Sequence, residues 1–263
     1  MGAQAILYSE AGGVCELVLN RPDSLNSFNE AMHAEAREAL EKLRKSATAR
    51  TLLLTGAGRG FCAGQDLGDR AIRGDAAPAD LARTLETQYN PLIRALRALP
   101  IPVVCAVNGV AAGAGANLAL ACDLVIAARS AKFIQSFCRV GLLPDSGGTW
   151  FLPRLVGEAR AKALAMLGTP VTAEEALAMG MIHRVVDDAE LAIEAKKLCA
   201  HLASQPTRAL AAIKEALHAS WDNNLDAQLD LERDRQGDLG RSGDYREGVA
   251  AFLEKRPPKF AGK

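Results

Sequence analysis

The chain has no surplus of charge of either sign: lysine plus arginine and aspartate plus glutamate each number 31. A balanced chain lacks the basic surface that grips nucleic-acid phosphates or an anionic membrane, so neither is expected as a partner. There is no CxxC pair among Cys15, Cys62, Cys105, Cys122, Cys138 and Cys199, and most of these sit in apolar runs. That usage predicts buried free thiols in a reducing compartment. Neither an N-terminal signal nor an apolar run of spanning length occurs, and the expected location is cytoplasmic. His33, His183, His201 and His218 are scattered, without the carboxylate or cysteine spacing of a metal site or a triad, so no metal is expected. The chain has no GxSxG elbow, which argues against a serine hydrolase. Gly56 to Phe61 lacks the third glycine of GxGxxG, and no GKS or GKT follows, which argues against a nucleotide-binding loop. What survives these exclusions is a globular protein whose partner is a small molecule.

Two glycine-rich stretches stand out instead. The first, NGVAAGAGANLALACD from Asn108 to Asp123, follows the apolar run Pro102 to Val107 and opens a helix near Gly113. Small residues admit close approach to the backbone, and a new helix leaves its first N–H groups without carbonyl partners. The second, GAGRGFCAGQDL from Gly56 to Leu67, follows the buried strand Thr51 to Thr55. Two such loops can each offer one backbone N–H to a single oxygen that gains negative charge, and one such donor contributes about 3 to 4 kcal/mol to a transition state. A tight strand-to-helix turn that uses small residues for packing remains the alternative.

In chain order, Ile6 to Tyr8 and Val14 to Leu19 read as a hairpin about Gly12-Gly13. Asn29 caps a helix to about Lys45, and that helix linking Val14 to Leu19 with Thr51 to Thr55 predicts parallel pairing of the two strands. Gly68 to Pro78 is small, polar and charged, a candidate flap over a ligand or a solvated loop. Leu81 to Leu99 and Arg154 to Leu167 each read as one helix; Leu124 to Ala127, Phe133-Ile134 and Val185-Val186 read as short strands. Thr172 caps a helix over Ala173 to Met179, and the rear of the chain from Ala189 is helical. The expectation is an α/β front over residues 1–188 and a helical region over 189–263.

LNRPDSLNSF (Leu19 to Phe28), GFCAGQDL (Gly60 to Leu67), PVVCAVNGVAAGAGANLALACD (Pro102 to Asp123), GLLPDSGGTWFLPRLVG (Gly141 to Gly157) and the tail Gly240 to Phe260 together resemble the crotonase, or enoyl-CoA hydratase/isomerase, superfamily. Around Gln65, Asp145 and Trp150 the wording is most similar to ring-1,2-epoxyphenylacetyl-CoA isomerases of bacterial phenylacetate breakdown. The resemblance implies a ClpP-like spiral of ββα turns, with C-terminal helices that build a trimer or a dimer of trimers. It implies an acyl-CoA thioester as substrate, coenzyme A entering as part of that substrate, no prosthetic group, and other enzymes of the phenylacetate pathway as possible partners.

The resemblance also implies roles for particular residues. The backbone N–H groups of Gln65 and Ala114 would hold the thioester oxygen. Coenzyme A would lie along Ser24, Leu25 and Asn26 on one side and Ala63, Gln65, Asp66 and Leu67 on the other, with Phe252 and Lys255 reaching the nucleotide from the same or a neighbouring subunit. Hydratases of the family carry glutamates where this chain has Asn117 and Phe137. Without that pair, water addition is rejected. Asp145 is the acid left on a glycine-rich loop, in an expected pocket with Tyr89, Asn117, Phe137 and Leu142, although it also suits a turn cap. Tyr89 reads first as core. Asp66 and Asp123 read as structural. The expected reaction is conversion of ring-1,2-epoxyphenylacetyl-CoA to oxepin-CoA; a Δ3,Δ2-enoyl-CoA isomerase and a non-catalytic acyl-CoA-binding scaffold are the alternatives.

Overall fold

The computed structural model describes residues 4–68 and 80–263. A hairpin of β1 (Ile6–Ala11) and β2 (Val14–Leu19) turns at Gly12-Gly13 and pairs antiparallel, with Ile6 opposite Leu19. Helix α1 (Glu30–Lys45) follows, its first turn closed by the Asn29 side chain accepting from Met32 N–H. Such a cap contributes about 1 kcal/mol. Met32, Ala36, Ala39, Leu40 and Leu43 form the buried stripe, and α1 returns the chain to β3 (Thr51–Gly56), which pairs parallel with β2.

From here each long strand is followed by a short one in a second sheet. β3 leads to β4 (Gly60–Cys62), β5 (Val103–Val107) to β6 (Val110–Ala112), and β7 (Leu124–Ala128) to β8 (Lys132–Ile134). The long strands form a six-stranded sheet in the order β1-β2-β3-β5-β7-β10, with β10 (Arg184–Val186) at its edge; the short ones form a four-stranded sheet, β4-β6-β8-β9, closed by β9 (Val171–Thr172). The three-residue strands of the second sheet are too short to carry a periodic signal, and Val110–Ala112 reads in sequence as loop.

Two expected helices are interrupted. Leu81 to Leu99 divides into α2 (Leu81–Thr84), a wide π-type turn over Leu85–Tyr89, and α3 (Asn90–Arg97). Pro91 supplies no N–H and crowds the carbonyls before it, so the turn ahead of it widens. After α4 (Ala114–Leu120), the segment expected as a helix from Arg154 is two, α5 (Gly148–Val156) and α6 (Glu158–Leu167). Gly157 between them has φ 79°, outside any right-handed helix. α7 (Ala173–Ala178) begins on a capping box made by Thr172 and Glu175.

The rear is α8 (Leu191–Ser204), α9 (Thr207–Ala219), α10 (Leu225–Leu239) and α11 (Gly243–Leu253). Helix α8 lies on the long strands and puts Leu191, Ala195 and Cys199 into the same core as Leu52 and Val104. Helices α9 and α10, by contrast, bury no residue fully. Arg50, just before β3, ties the rear down through Thr207 Oγ1, Gln205 O and Phe260 O. The C-terminal helices therefore sit at the N-terminal end of the long strands, and the glycine-rich loops leave the opposite end.

Candidate active site

The two glycine loops touch. A Cβ placed on Gly109 would lie 2.1 Å from Arg59 O, and one on Gly115 would lie 2.3 Å from Cys62 O, so neither position can carry a side chain while the loops keep this approach. The small residues read as room for a ligand thus serve first to bring one loop against the other. At Gly64, with φ +88°, an added Cβ would stand 2.9 Å from Ala112 O and 3.3 Å from Ala114 N. The chain around Gln65 is in this way brought beside the first turn of α4.

Each amide is aimed by local structure. Phe28 pairs with Gln65 in an isolated parallel bridge: Phe28 N–H donates to Gly64 O at 2.7 Å and Asp66 N–H donates to Phe28 O at 2.9 Å. In a parallel ladder the residue between those two contacts turns its own N–H and C=O to the other side. Gln65 N–H therefore faces away from Phe28. Ala114 is the first residue of α4, whose first intrahelical bond is Asn117 N–H to Gly113 O, so the Ala114 amide has no carbonyl partner within the helix.

Below this corner lies an aromatic cluster. Tyr89 is 3% exposed, stacks edge-on to His33 with centroids 4.5 Å apart, and donates its hydroxyl to Gln65 Oε1 at 2.9 Å. Tyr89 is therefore part of the core, as its helical spacing predicts, and its polar tip holds the Gln65 side chain. The loop is also held by two side-chain amides, those of Asn26 and Asn108. Asn26, fully buried, donates to Ala57 O and Gly60 O at 2.9 and 2.8 Å and accepts from Arg21 N–H at 2.8 Å. Asn108 donates to Gly58 O at 2.9 Å and accepts from Gly56 N–H at 3.2 Å. The Asn26 side chain thus fastens the loop, leaving the Ser24 to Asn26 backbone as the part expected along coenzyme A; Leu25 O accepts from Ala63 N–H at 2.9 Å and joins the two segments expected to flank that ligand, with Ser24 half-buried beside them. Leu67 is exposed.

Asp66 pairs with Arg21 at 2.9 Å and accepts from Gly68 N–H at 3.0 Å. Partial burial works to raise its pKa, but the Arg21 contact and the Gly68 amide outweigh it and hold the carboxyl below its ordinary value. A carboxylate so engaged is a loop fastener. Asp123 is likewise structural: it accepts from Val103 N–H and pairs with Lys214, both at 2.8 Å.

Asp145 stands on the turn before α5, half-buried, with Oδ1 accepting from Ser146 Oγ at 2.8 Å. Its main-chain carbonyl accepts from Gly148 N–H and from Asn117 Nδ2, both at 2.8 Å. The turn-cap and acid readings of Asp145 are therefore compatible, because the backbone makes the turn and the carboxylate is a separate group. Asn117 is fully buried, with Oδ1 accepting from Gln135 Nε2 at 2.8 Å. Phe137 is buried, and a Cβ on Gly113 would lie 3.8 Å from its ring, which sets it against the Ala114 corner. Leu142 is 42% exposed on the loop that carries Asp145.

Phe252 and Lys255 do not meet this site within one chain. Phe252 lines an apolar groove with Leu239, Tyr245, Val249 and Phe260, and Phe260 O is bound to Arg50 at the start of β3. Six residues of strand, about 20 Å, separate that end from Gly56. Residues 69–79, which include most of the candidate flap, lie outside the described residues. Among the described residues no cluster of three His, Cys, Asp or Glu is arranged to hold a metal, and no helix is long and apolar enough to cross a membrane.

Paired long and short strands in two sheets, with two glycine loops meeting at the first turn of α4, are the features of the crotonase class. The profile of the family described as Enoyl-CoA hydratase/isomerase matches residues 9–263. The chain is 59% identical over 251 residues, covering 95% of it and 96% of the relative, to the 1,2-epoxyphenylacetyl-CoA isomerase of Escherichia coli K12. It is 50% identical over the full length of both chains to a Rhodobacter capsulatus protein carrying the name "Probable enoyl-CoA hydratase". Among solved structures it superposes on an enoyl-CoA hydratase from Bacillus anthracis with a TM-score of 0.92 at 34% identity, covering 99% of this chain and 100% of the other. The chain belongs to the enoyl-CoA hydratase/isomerase family and is an enzyme of that family.

Proposed function

We propose that this enzyme is an acyl-CoA isomerase that moves hydrogen between carbons of a thioester, with ring-1,2-epoxyphenylacetyl-CoA as substrate and oxepin-CoA as product. The observation that carries this reading is that the turn bearing Asp145 is hydrogen-bonded through Asn117 to α4, the helix that begins at Ala114, where Asn117 and Phe137 offer no carboxylate to activate water. The 59% identity to an isomerase of that substrate supports it.

The chemistry balances without an added reagent. The arene epoxide opens by breaking its ring carbon–carbon bond, leaving a seven-membered oxepin with a double bond β,γ to the thioester. Asp145 takes one α hydrogen; the electron pair moves onto the thioester oxygen, where the Gln65 and Ala114 N–H groups stabilise it. Asp145 then delivers the proton to the γ carbon, and the double bond becomes α,β. One C–H bond breaks, one forms, and the carboxylate is regenerated. A Δ3,Δ2 shift in an open-chain acyl-CoA uses the same last two steps, which makes it the second reading.

Coenzyme A enters as part of the substrate, along Leu25 and Ala63, and the proposal includes no prosthetic group. The proposed assembly is a trimer or a dimer of trimers through the rear helices, and the proposed location is the cytoplasm. Incubation of the pure enzyme with each thioester tests the reading by ultraviolet spectrum and product mass. Isomerisation changes the spectrum at constant mass, hydration adds one water, and a scaffold changes neither. Absence of spectral change with the epoxide overturns the first reading.

A further inference from the structure

The Asn117 side chain joins the helix carrying the proposed Ala114 donor to the turn carrying Asp145. Its amide is committed at both ends: Nδ2 donates to Asp145 O and Oδ1 accepts from Gln135 Nε2, each at 2.8 Å. The orientation is forced. A backbone carbonyl can only accept, so Asn117 must present its NH2 to Asp145; its oxygen then faces Gln135, which must in turn present its own NH2. Both amides are buried, at 0% and 5% exposure, so water cannot substitute for either contact.

The turn needs such a restraint. Ser146, with φ 52°, and Gly147, with φ 82°, are both in the left-handed region, and for serine that conformation persists only when its surroundings impose it. The loop also rests directly on the amide: a Cβ on Gly148 would stand 2.2 Å from Asn117 Nδ2. Since Asn117 lies three residues after Ala114 on α4, a shift of the turn relative to this side chain is a shift of the carboxylate relative to the oxyanion donor.

We infer that Asn117 is a positioning residue for Asp145, with Gln135 locking its orientation, so that the proton carrier and the oxyanion donors keep one fixed separation. This rests on Asp145 being the proton carrier. A displacement of about 1 Å in such a constellation lowers rates by about 100-fold.

The test is a double-mutant cycle read by exchange of the α hydrogens of phenylacetyl-CoA with deuterium oxide. Asn117→Ala is expected to lower kcat about 10- to 100-fold with KM within about twofold, and to have no further effect on the residual rate in an Asp145→Asn background. Gln135→Met, which leaves α4 untouched, is expected to show the same pattern with a smaller loss, and it carries the cycle if Asn117→Ala does not fold. Equal fold losses in both backgrounds overturn the inference, as does a loss expressed in KM. Asp145→Asn exchanging at the wild-type rate overturns instead the proton-carrier reading on which the inference stands.

Discussion

A Cβ on Gly64 would stand 2.9 Å from Ala112 O and 3.3 Å from Ala114 N, so the loop that carries Gln65 is in direct contact with the first turn of α4. Gly64→Ala is therefore expected to push the two loops apart at Ala112 O, as well as strain a backbone at φ +88°, and so to separate the proposed Gln65 and Ala114 donors. Loss of one donor corresponds to about a 100- to 1,000-fold fall in kcat. Steady-state kinetics on a β,γ-unsaturated acyl-CoA measures it; a variant that folds and turns over at the wild-type rate would show that the corner holds no oxyanion.

Asp145→Asn keeps the shape of the turn, since the main-chain carbonyl rather than the carboxylate receives the Asn117 and Gly148 donors. The expected result is a melting temperature close to wild type and a kcat lower by about 100- to 10,000-fold. Thermal denaturation and turnover measured on one preparation check both halves.

Tyr89→Phe removes the hydroxyl that donates to Gln65 Oε1 while keeping the ring against His33. A hydrogen bond of this kind contributes about 1 kcal/mol to stability, so only a small fall in melting temperature is expected. Tyr89→Ala should unfold the protein at markedly lower temperature, by about 3 to 5 kcal/mol, because it empties a buried aromatic site. Calorimetry separates the two.

His218 lies on α9, with Nε2 3.9 Å from Asp123 Oδ1. Burial, Arg97 and Lys214 lower its pKa from 6.5 to about 4, against the opposing pull of Asp123. Between pH 6.5 and 4 the unfolded chain binds the proton and the folded one does not, so this contribution to stability is present above pH 6.5 and lost as pH falls through that window. Melting temperatures from pH 7 to pH 4 should fall, and His218→Asn should flatten the slope.

Much of the fold is legible locally. The Gly12-Gly13 hairpin, the Asn29 cap and the stripe of α1 rest on neighbours within one turn, and each reads correctly from the sequence. The second sheet does not, since strands as short as Val110–Ala112 acquire their conformation only by pairing with distant partners. For the same reason the glycine loops were legible and their fasteners were not. Asn26 reaches Gly60 across 34 residues, Asn108 reaches Gly58 across 50 and Asn117 reaches Asp145 across 28. An asparagine in sequence carries no sign of which distant carbonyl it will meet. Tyr89 shows the converse: helical spacing gave its burial, and only the fold gives its hydroxyl a partner in Gln65.

The most direct measurement is a crystal structure of Asp145→Asn with phenylacetyl-CoA bound. The thioester oxygen is expected within about 3 Å of both the Gln65 and Ala114 nitrogens, with the residue-145 side chain facing the α carbon. A carbonyl turned away from that corner, or a residue-145 side chain remote from the acyl group, would contradict the account.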